Sequence, residues 1–326
     1  MKLVIQIPCL NEEVTLPLTL ADLPKQLPGV DAIEILIIDD GSTDRTSEVA
    51  RAHGVTRIVR FPARRGLARA FDTGLGVALA MGADVIVNTD ADNQYQGADI
   101  GRLIEPILAR RADMVVGTRP IESIEHFSPL KKVLQRLGSG VVRALSNTDV
   151  PDATSGFRAY SRDAALRLTV LTGFTYTLET LIQASQKNIA IAHVPIRVNA
   201  KLRESRLFAG MGSYITRSLG TMLRVYLLYQ PLKFFLTLSA LSLTGSLALF
   251  LRFLVIFILQ PQQSGHVQSL VVAGALAVIG VLLLSLGVLS DLTAMNRRLL
   301  EEVVVNTRLA RIEHERRERQ CQGIGE

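Results

Sequence analysis

Apolar residues are unevenly spread along this chain. Over residues 1–120 they fall into short runs separated by stretches of helical periodicity. The runs 2–8, 33–39, 56–60, 83–88 and 112–117 are rich in Val, Ile, Leu and Ala with few polar breaks, the pattern of strands buried on both faces. Between them, 12–26, 43–53, 66–81 and 98–110 repeat apolar positions at helical spacing. Strand–helix alternation at this pitch predicts βαβ units and a mostly parallel sheet. Past residue 230 the pattern changes. Residues 232–259 and 267–290 are apolar runs, each long enough at about 1.5 Å per residue to cross a hydrocarbon layer ~30 Å thick.

The polar positions complete the outline. The link 260–266 carries no Lys or Arg, whereas Arg217, Arg224 and Lys233 precede the first run and Arg297 and Arg298 follow the second. Positive flanks on the cytosolic side predict a hairpin with both ends in the cytosol and a short outer link, hence a multi-pass protein of the cell membrane. Arg252 lies near the outer end of the first span, where it can snorkel. Residues 203–230 place Leu207, Phe208, Met211, Tyr214 and Ile215 at helical spacing among Arg203, Arg206, Arg217 and Arg224. Such a basic amphipathic stretch beside a span predicts an interfacial helix in contact with membrane lipids, with a core helix as the alternative. The tail 291–320 mixes Leu and Val with Glu and Arg, a charged helix suited to the membrane surface, to a neighbouring subunit or to solvent. The expected divisions are therefore a cytosolic domain over 1–202, juxtamembrane helices over 203–231, two spans over 232–290 and a charged cytosolic tail over 291–326.

Composition narrows the function. The formal charge is +6 and 48% of residues are hydrophobic. With no Trp and no basic stripe interleaved with aromatics, the basic balance points to a membrane surface rather than to nucleic acid. The two cysteines, Cys9 and Cys321, sit at opposite ends and the five histidines are scattered, which excludes a disulfide framework and gives no zinc-ligand spacing. Leu3–Ile7 is too short for a signal-peptide core.

The predicted strands end in polar clusters. Asn11-Glu12 follows the first, Asp39-Asp40 the second, Asp90-Ala91-Asp92 the fourth and Arg119 the fifth. In a parallel sheet ligands bind beyond the carboxyl ends of the strands, so these residues gather on one edge. Gly41-Ser42-Thr43-Asp44 reads as a turn and helix cap, which leaves two acids at the strand end unexplained. Asp90 and Asp92, with Gln94 as an amide oxygen, form a hard-oxygen set suited to Mg2+ or Mn2+ together with phosphate oxygens. A merely polar loop is the competing reading of the same triplet.

Taken together, Pro8-Cys9-Leu10-Asn11-Glu12-Glu13, Ile37-Ile38-Asp39-Asp40-Gly41-Ser42-Thr43-Asp44, Thr89-Asp90-Ala91-Asp92-Asn93-Gln94 and Val116-Gly117-Thr118-Arg119 resemble the family 2 glycosyltransferases in order and spacing. Asp152-Ala153-Thr154-Ser155-Gly156-Phe157-Arg158 is similar to the D-x-T-S-G-F-R segment of the family's polyprenyl-phosphate branch, which includes dolichyl-phosphate mannose synthase and enzymes that glucosylate undecaprenyl phosphate. The resemblance spans roughly residues 1–230. It implies a GT-A type α/β domain with a mostly parallel mixed sheet, followed by the interfacial helix and the membrane hairpin. It implies that Pro8, Leu10 and Glu12 line a nucleotide pocket, that Asp39 holds the base or ribose with Asp40 beside it, and that Asp90, Asp92 and Gln94 hold metal and diphosphate. Arg119 would lie near the phosphates or sugar. The family usually has Tyr at the place of Leu10. Ser205 and Arg206, in a segment where related enzymes carry Ser-Arg/Lys-Leu, are the candidates for an acceptor phosphate, with Arg217 second.

The implied reaction is inverting transfer of a sugar from a nucleotide-sugar, a UDP-hexose or GDP-mannose, to polyprenyl phosphate at the cytosolic face, by a homo-oligomer. Asp92, Arg119 and Arg206 are the expected catalytic residues. A phosphate monoester is mostly ionised at neutral pH, its second pKa being about 6, so no strong general base is required. The rival readings are a membrane-anchored glycosyltransferase acting on a glycan or glycolipid, and an inactive scaffold. A processive polysaccharide synthase would require a Q-x-x-R-W segment, and the chain has no Trp. A nucleotidyltransferase would bring a Gly-rich basic loop, which Pro8–Glu13 is not.

Overall fold

β1 (Lys2–Cys9), β2 (Ala32–Asp39), β3 (Arg57–Arg60), β4 (Val85–Asn88), β5 (Met114–Thr118), β6 (Arg158–Ser161) and β7 (Ile191–Pro195) build one seven-stranded sheet in the order β3-β2-β1-β4-β6-β5-β7. The computed structural model that defines it describes residues 1–120, 150–170, 176–199, 220, 223–224, 226–227, 229–259 and 267–322. β1 pairs in parallel with β2 and β4, β2 with β3, and β5 with β7. β6 runs antiparallel between β4 and β5. The sheet is thus mostly parallel and mixed, as the apolar runs predict. Its centre is continuous hydrocarbon: Leu3, Ile5, Ile7, Ile37, Val115 and Phe157 are fully buried.

The helices α1 (Leu16–Asp22), α2 (Thr46–Ala52), α3 (Leu67–Ala80) and α4 (Ile100–Leu108) alternate with the first five strands, and α5 (Arg162–Arg167) and α6 (Tyr176–Gln186) follow β6. The expected helix over 12–26 is shorter than its periodicity. Asn11, Glu12 and Glu13 donate their backbone N–H groups to Ser42, Thr46 and Asp44, so these residues belong to a loop, and Pro24 follows the helix end. β1 lies between β2 and β4, where the winding of the sheet reverses, and the crevice beyond the carboxyl ends of these strands is where such folds bind ligands.

By compactness the chain divides into Met1–Gly210 with Val303–Glu326, and Met211–Glu302. The second unit is a helical hairpin. α7 (Pro231–Leu259) and α8 (Val267–Gln322) are both long and apolar enough to cross a membrane. Ser239, Ser242 and Ser246, on one face of α7, donate to the carbonyls of Gly280, Leu276 and Ala273 at 2.7, 2.8 and 2.7 Å. Gly280 has no room for a side chain, because a Cβ there would meet Leu243 at 2.7 Å. Small residues and hydroxyl-to-carbonyl bonds are the means by which helices associate where no hydrophobic contrast drives them. Most of the large apolar side chains on the outer faces are exposed, as a lipid-facing surface requires.

Candidate functional site

At the end of β1 the chain turns through Asn11, whose φ is 54°. Asn11 accepts from the Thr43 N–H at 2.8 Å, and Glu12 accepts from the Thr15 hydroxyl at 2.6 Å. The next strand end carries the two acids. Asp39 is fully buried: one oxygen accepts from the Ser42 N–H at 2.7 Å, the other from the Ser47 hydroxyl, and the Arg60 guanidinium lies 3.5 Å away. Asp40 accepts from the backbone N–H groups of Arg65 at 2.6 Å and Gly66 at 2.9 Å, fixing the loop that enters α3. Gly41 is required between them. Its φ is 74°, and a Cβ there would lie 2.7 Å from the backbone of Ala63 and Arg64. Both acids therefore hold loops in place, and the loops in turn form an open cleft of about 620 Å³ lined by Gly41, Ser42, Thr43, Arg60, Phe61 and Pro62. Pro8 is buried in the β1–β2 ladder opposite Ile38, and Leu10 is half-buried at its end.

The loop after β4 explains the spacing of its acids. Ala91 packs in the core and its carbonyl accepts from the Thr19 hydroxyl of α1 at 3.0 Å. With the middle residue pinned inward, Asp90 and Asp92 remain half-exposed on either side. Asp92 accepts from the Gln94 N–H at 3.2 Å. Behind Asp90 sits a buried polar chain. Gln6 donates to Asn88 at 2.9 Å, and Asn88 donates to the Gly156 carbonyl and the Tyr176 hydroxyl, both at 2.9 Å. Tyr176 stacks on Phe71 with centroids 4.0 Å apart, and Tyr95 stacks on Phe157 at 5.0 Å. The Tyr95 hydroxyl accepts from the Gly156 N–H at 3.1 Å, and burial pushes its pKa up to about 12 against the lowering influence of Arg119. It is therefore neutral at pH 7.

Arg119, just past β5, meets the D-x-T-S-G-F-R segment. Its Nε and Nη2 donate to the two oxygens of Asp152 at 2.7 and 3.0 Å, and Nη2 also donates to Thr154 at 3.0 Å. Burial works against both charges, but the pairing outweighs it: Arg119 is raised further by Tyr95, Asp152 and Asp90, and Asp152 is held below the usual carboxylate range chiefly by Arg119. Arg158, fully buried, donates to the carbonyls of Ser155, Thr177 and Ala153 and to the Thr180 hydroxyl. It holds the motif's backbone in place beneath Gly156.

The structure thus brings Glu12, Asp39, Asp40, Asp90, Asp92 and Arg119 to one edge of the sheet. Burial and the charges of Glu12, Asp39, Asp44 and Asp90 together push the Cys9 thiol well above its ordinary pKa, so Cys9 is inert and the edge is electronegative. A divalent cation fits here. Among the described residues no group of three or more His, Cys, Asp or Glu side chains forms a cage, but Mg2+ and Mn2+ in phosphate sites use one or two carboxylates with substrate oxygens. Gly156 leaves that space open: a Cβ on it would come within 3.1 and 3.2 Å of the two Asp90 oxygens. Gln94 contributes its backbone to the loop, donating to Asp92 and accepting from Asn199. Arg203, Ser205, Arg206 and Arg217 lie outside the described residues. Asn88, Tyr95, Tyr176 and Asn199 shape the site without standing out in the sequence. The one available signal was Asn88, a polar residue closing an apolar strand.

Residues 4–169 match the family model Glycosyl transferase family 2. An undecaprenyl-phosphate mannosyltransferase from Micrococcus luteus is 30% identical over 65% of this chain and 89% of that protein. A UDP-N-acetylglucosamine–dolichyl-phosphate N-acetylglucosaminyltransferase from Methanococcus voltae is 30% identical over 59% of this chain and 83% of its own. Among solved structures, glucosyl-3-phosphoglycerate synthase from Mycobacterium tuberculosis, in complex with Mn2+, UDP and glucosyl-3-phosphoglycerate, aligns with a TM-score of 0.55 over 69% of this chain and 78% of that one, at 23% identity. At that identity the likeness is one of fold, the GT-A type.

Proposed function

Since the chain belongs to glycosyl transferase family 2, we propose that this glycosyltransferase moves a hexose from a nucleoside-diphosphate sugar to a polyprenyl phosphate at the cytosolic face of a membrane. The observation that carries the reading is the electronegative strand edge, with Asp90 and Asp92 on either side of the core-packed Ala91, and a hairpin of two membrane-length helices in the same chain. Four of the relatives are named for sugar transfer to undecaprenyl, polyprenol or dolichyl phosphate, which favours a lipid phosphate over a glycan as acceptor.

The donor would lie along the edge, its nucleoside toward the cleft lined by Gly41–Thr43 and Arg60–Pro62 and its diphosphate toward Asp90 and Asp92. Asp90 and Asp92, with Gln94 beside them, would hold Mg2+ or Mn2+, which would supply positive charge against a departing diphosphate. Asp40 and Asp39 fix the loops that shape the donor cleft. The Arg119–Asp152 pair, locked by two hydrogen bonds, keeps the D-x-T-S-G-F-R segment against the site, while Tyr95 and Tyr176 present neutral hydroxyls around Gly156. Ser205 and Arg206 hold the acceptor phosphate, Arg offering the planar fork that suits it, with Arg217 in support. A phosphate oxygen of the acceptor forms the bond to the anomeric carbon as the bond from that carbon to the diphosphate oxygen breaks. The nucleoside diphosphate leaves with the electron pair, and the anomeric centre inverts. The acceptor is already ionised, so catalysis rests on positioning and charge.

The test incubates the purified full chain with Mn2+ or Mg2+, polyprenyl phosphate in detergent and a panel of labelled UDP- and GDP-sugars. One donor is expected to label the lipid. Nucleotide binding without lipid labelling by any donor would refute the acceptor assignment and favour a glycan acceptor.

A further inference from the structure

The segment after β7 does more than leave the sheet. Arg197 is anchored at its base: its backbone N–H and guanidinium donate to the fully buried Asp99 at 2.7 and 2.8 Å. Val198 forms an antiparallel bridge with Tyr95. Asn199 then clamps the acidic loop at two points. Its side-chain Nδ2 donates to the Asn93 carbonyl at 3.0 Å, and its backbone N–H donates to the Gln94 carbonyl at 2.8 Å. Asn93 is the left-handed residue of the loop, with φ 55°.

These bonds form a relay. The Asn93 carbonyl and the Gln94 N–H are the two ends of one peptide group. Asn199 binds its oxygen end, and its N–H end donates to the Asp92 carboxylate at 3.2 Å. Because the peptide is planar, fixing the oxygen fixes the direction of the N–H, and polarisation of the amide strengthens both bonds. Asn199 therefore sets the orientation of Asp92 from 107 residues away in sequence without touching it.

Building on the metal assignment above, we propose that Asn199 is a positioning residue that aims the Asp92 carboxylate at the cation and diphosphate side of the site.

The experiment measures Mn2+-dependent binding of UDP and of GDP by calorimetry, without turnover. Asn199→Ala and the near-isosteric Asn199→Leu are compared with wild type, and thermal melts confirm folding. In both variants Mn2+–nucleotide binding weakens about tenfold, the usual scale for removing a residue that orients a metal ligand. Wild-type affinity in either folded variant would overturn the inference. So would an affinity loss that appears only in parallel with a lowered melting temperature, since that marks a purely structural role. If the wild-type chain binds neither nucleotide with Mn2+, the donor reading itself fails and this inference falls with it.

Discussion

Gly156→Ala adds one methyl group at the point where the buried polar chain meets Asp90. The new Cβ would lie 2.8 Å from the Tyr176 hydroxyl and 3.1 and 3.2 Å from the Asp90 oxygens. Ordinary contact begins near 3.4 Å, so the carboxylate must give by 0.2–0.3 Å (3.4 less 3.2 and 3.1) and the hydroxyl by 0.6 Å (3.4 less 2.8). Tyr176 has little freedom to comply. It is stacked on Phe71 at 4.0 Å and accepts from Asn88 at 2.9 Å, and moving it stretches that bond in a fully buried site. Overpacking of this kind costs about 1–3 kcal/mol. Displacing Asp90 should weaken Mn2+ binding by roughly tenfold and lower turnover by about 10–100-fold, given that a misplacement near 1 Å can cost a factor of 10². The assays are Mn2+ titration of nucleotide binding, steady-state kinetics and a thermal melt. Gly76→Ala, on the same sheet's α3 with nothing within 4 Å of the added Cβ, is the control and should be neutral or slightly stabilising. Wild-type metal affinity and kcat in Gly156→Ala would refute the placement of the cation beside Asp90.

Three further outcomes are expected. Arg158→Met removes the donors that satisfy the carbonyls of Ala153, Ser155 and Thr177. Because buried acceptors left unpaired cost about 1–3 kcal/mol each, it should unfold the catalytic unit or lower its unfolding free energy by several kcal/mol, read from denaturant titrations by circular dichroism. Asp152 and Asp99 have folded pKa values below their ordinary ones, so their contribution to stability is complete above the unfolded value near pH 4 and is lost as pH falls through the depressed folded values. Asp152→Asn should accordingly flatten the acid limb of a melting-temperature profile below pH 4, and an unchanged limb would show that the Arg119 pair is not responsible. Replacing Ser239, Ser242 and Ser246 together by Ala should loosen the hairpin by about 2 kcal/mol, at roughly 0.6 kcal/mol for each interhelical bond, detectable as faster cysteine cross-linking exchange between helices in detergent. No change there would mean that packing at Gly280 suffices.

The parts of the fold most visible in the sequence were those with a strong single-segment signature. β1, β4 and the second half of β2 are buried on both faces and so read as near-continuous apolar runs, and the two membrane-length helices are longer than any core helix of such a domain. β6 was not visible because Arg158-Ala-Tyr-Ser161 opens on a charge whose burial makes sense only once the carbonyls of Ala153, Ser155 and Thr177 surround it. β7, a partly exposed edge strand of five residues, turns only Ala192 and Val194 to the core, too short an alternation to announce it. In the site, Asp90 and Asp92 were legible because the chemistry is carried by the residues themselves. The work of Asp40 was not, since its partners Arg65 and Gly66 lie 25 and 26 residues on. The same holds for the Arg119–Asp152 pair and for Asn199, whose roles arise from contacts that span 33 and 106 residues.

The central claim is that a lipid phosphate oxygen displaces a nucleoside diphosphate at a site carried by Asp90 and Asp92. The most direct measurement is nucleoside diphosphate release by the purified chain, with its accepted donor, as a function of added polyprenyl phosphate and of added dephosphorylated polyprenol. The account predicts saturable release that requires polyprenyl phosphate and a divalent cation, one sugar found on the lipid for each diphosphate freed, and no metal-dependent turnover in Asp92→Ala. Equal release with polyprenol, or metal-dependent turnover retained in Asp92→Ala, would contradict it.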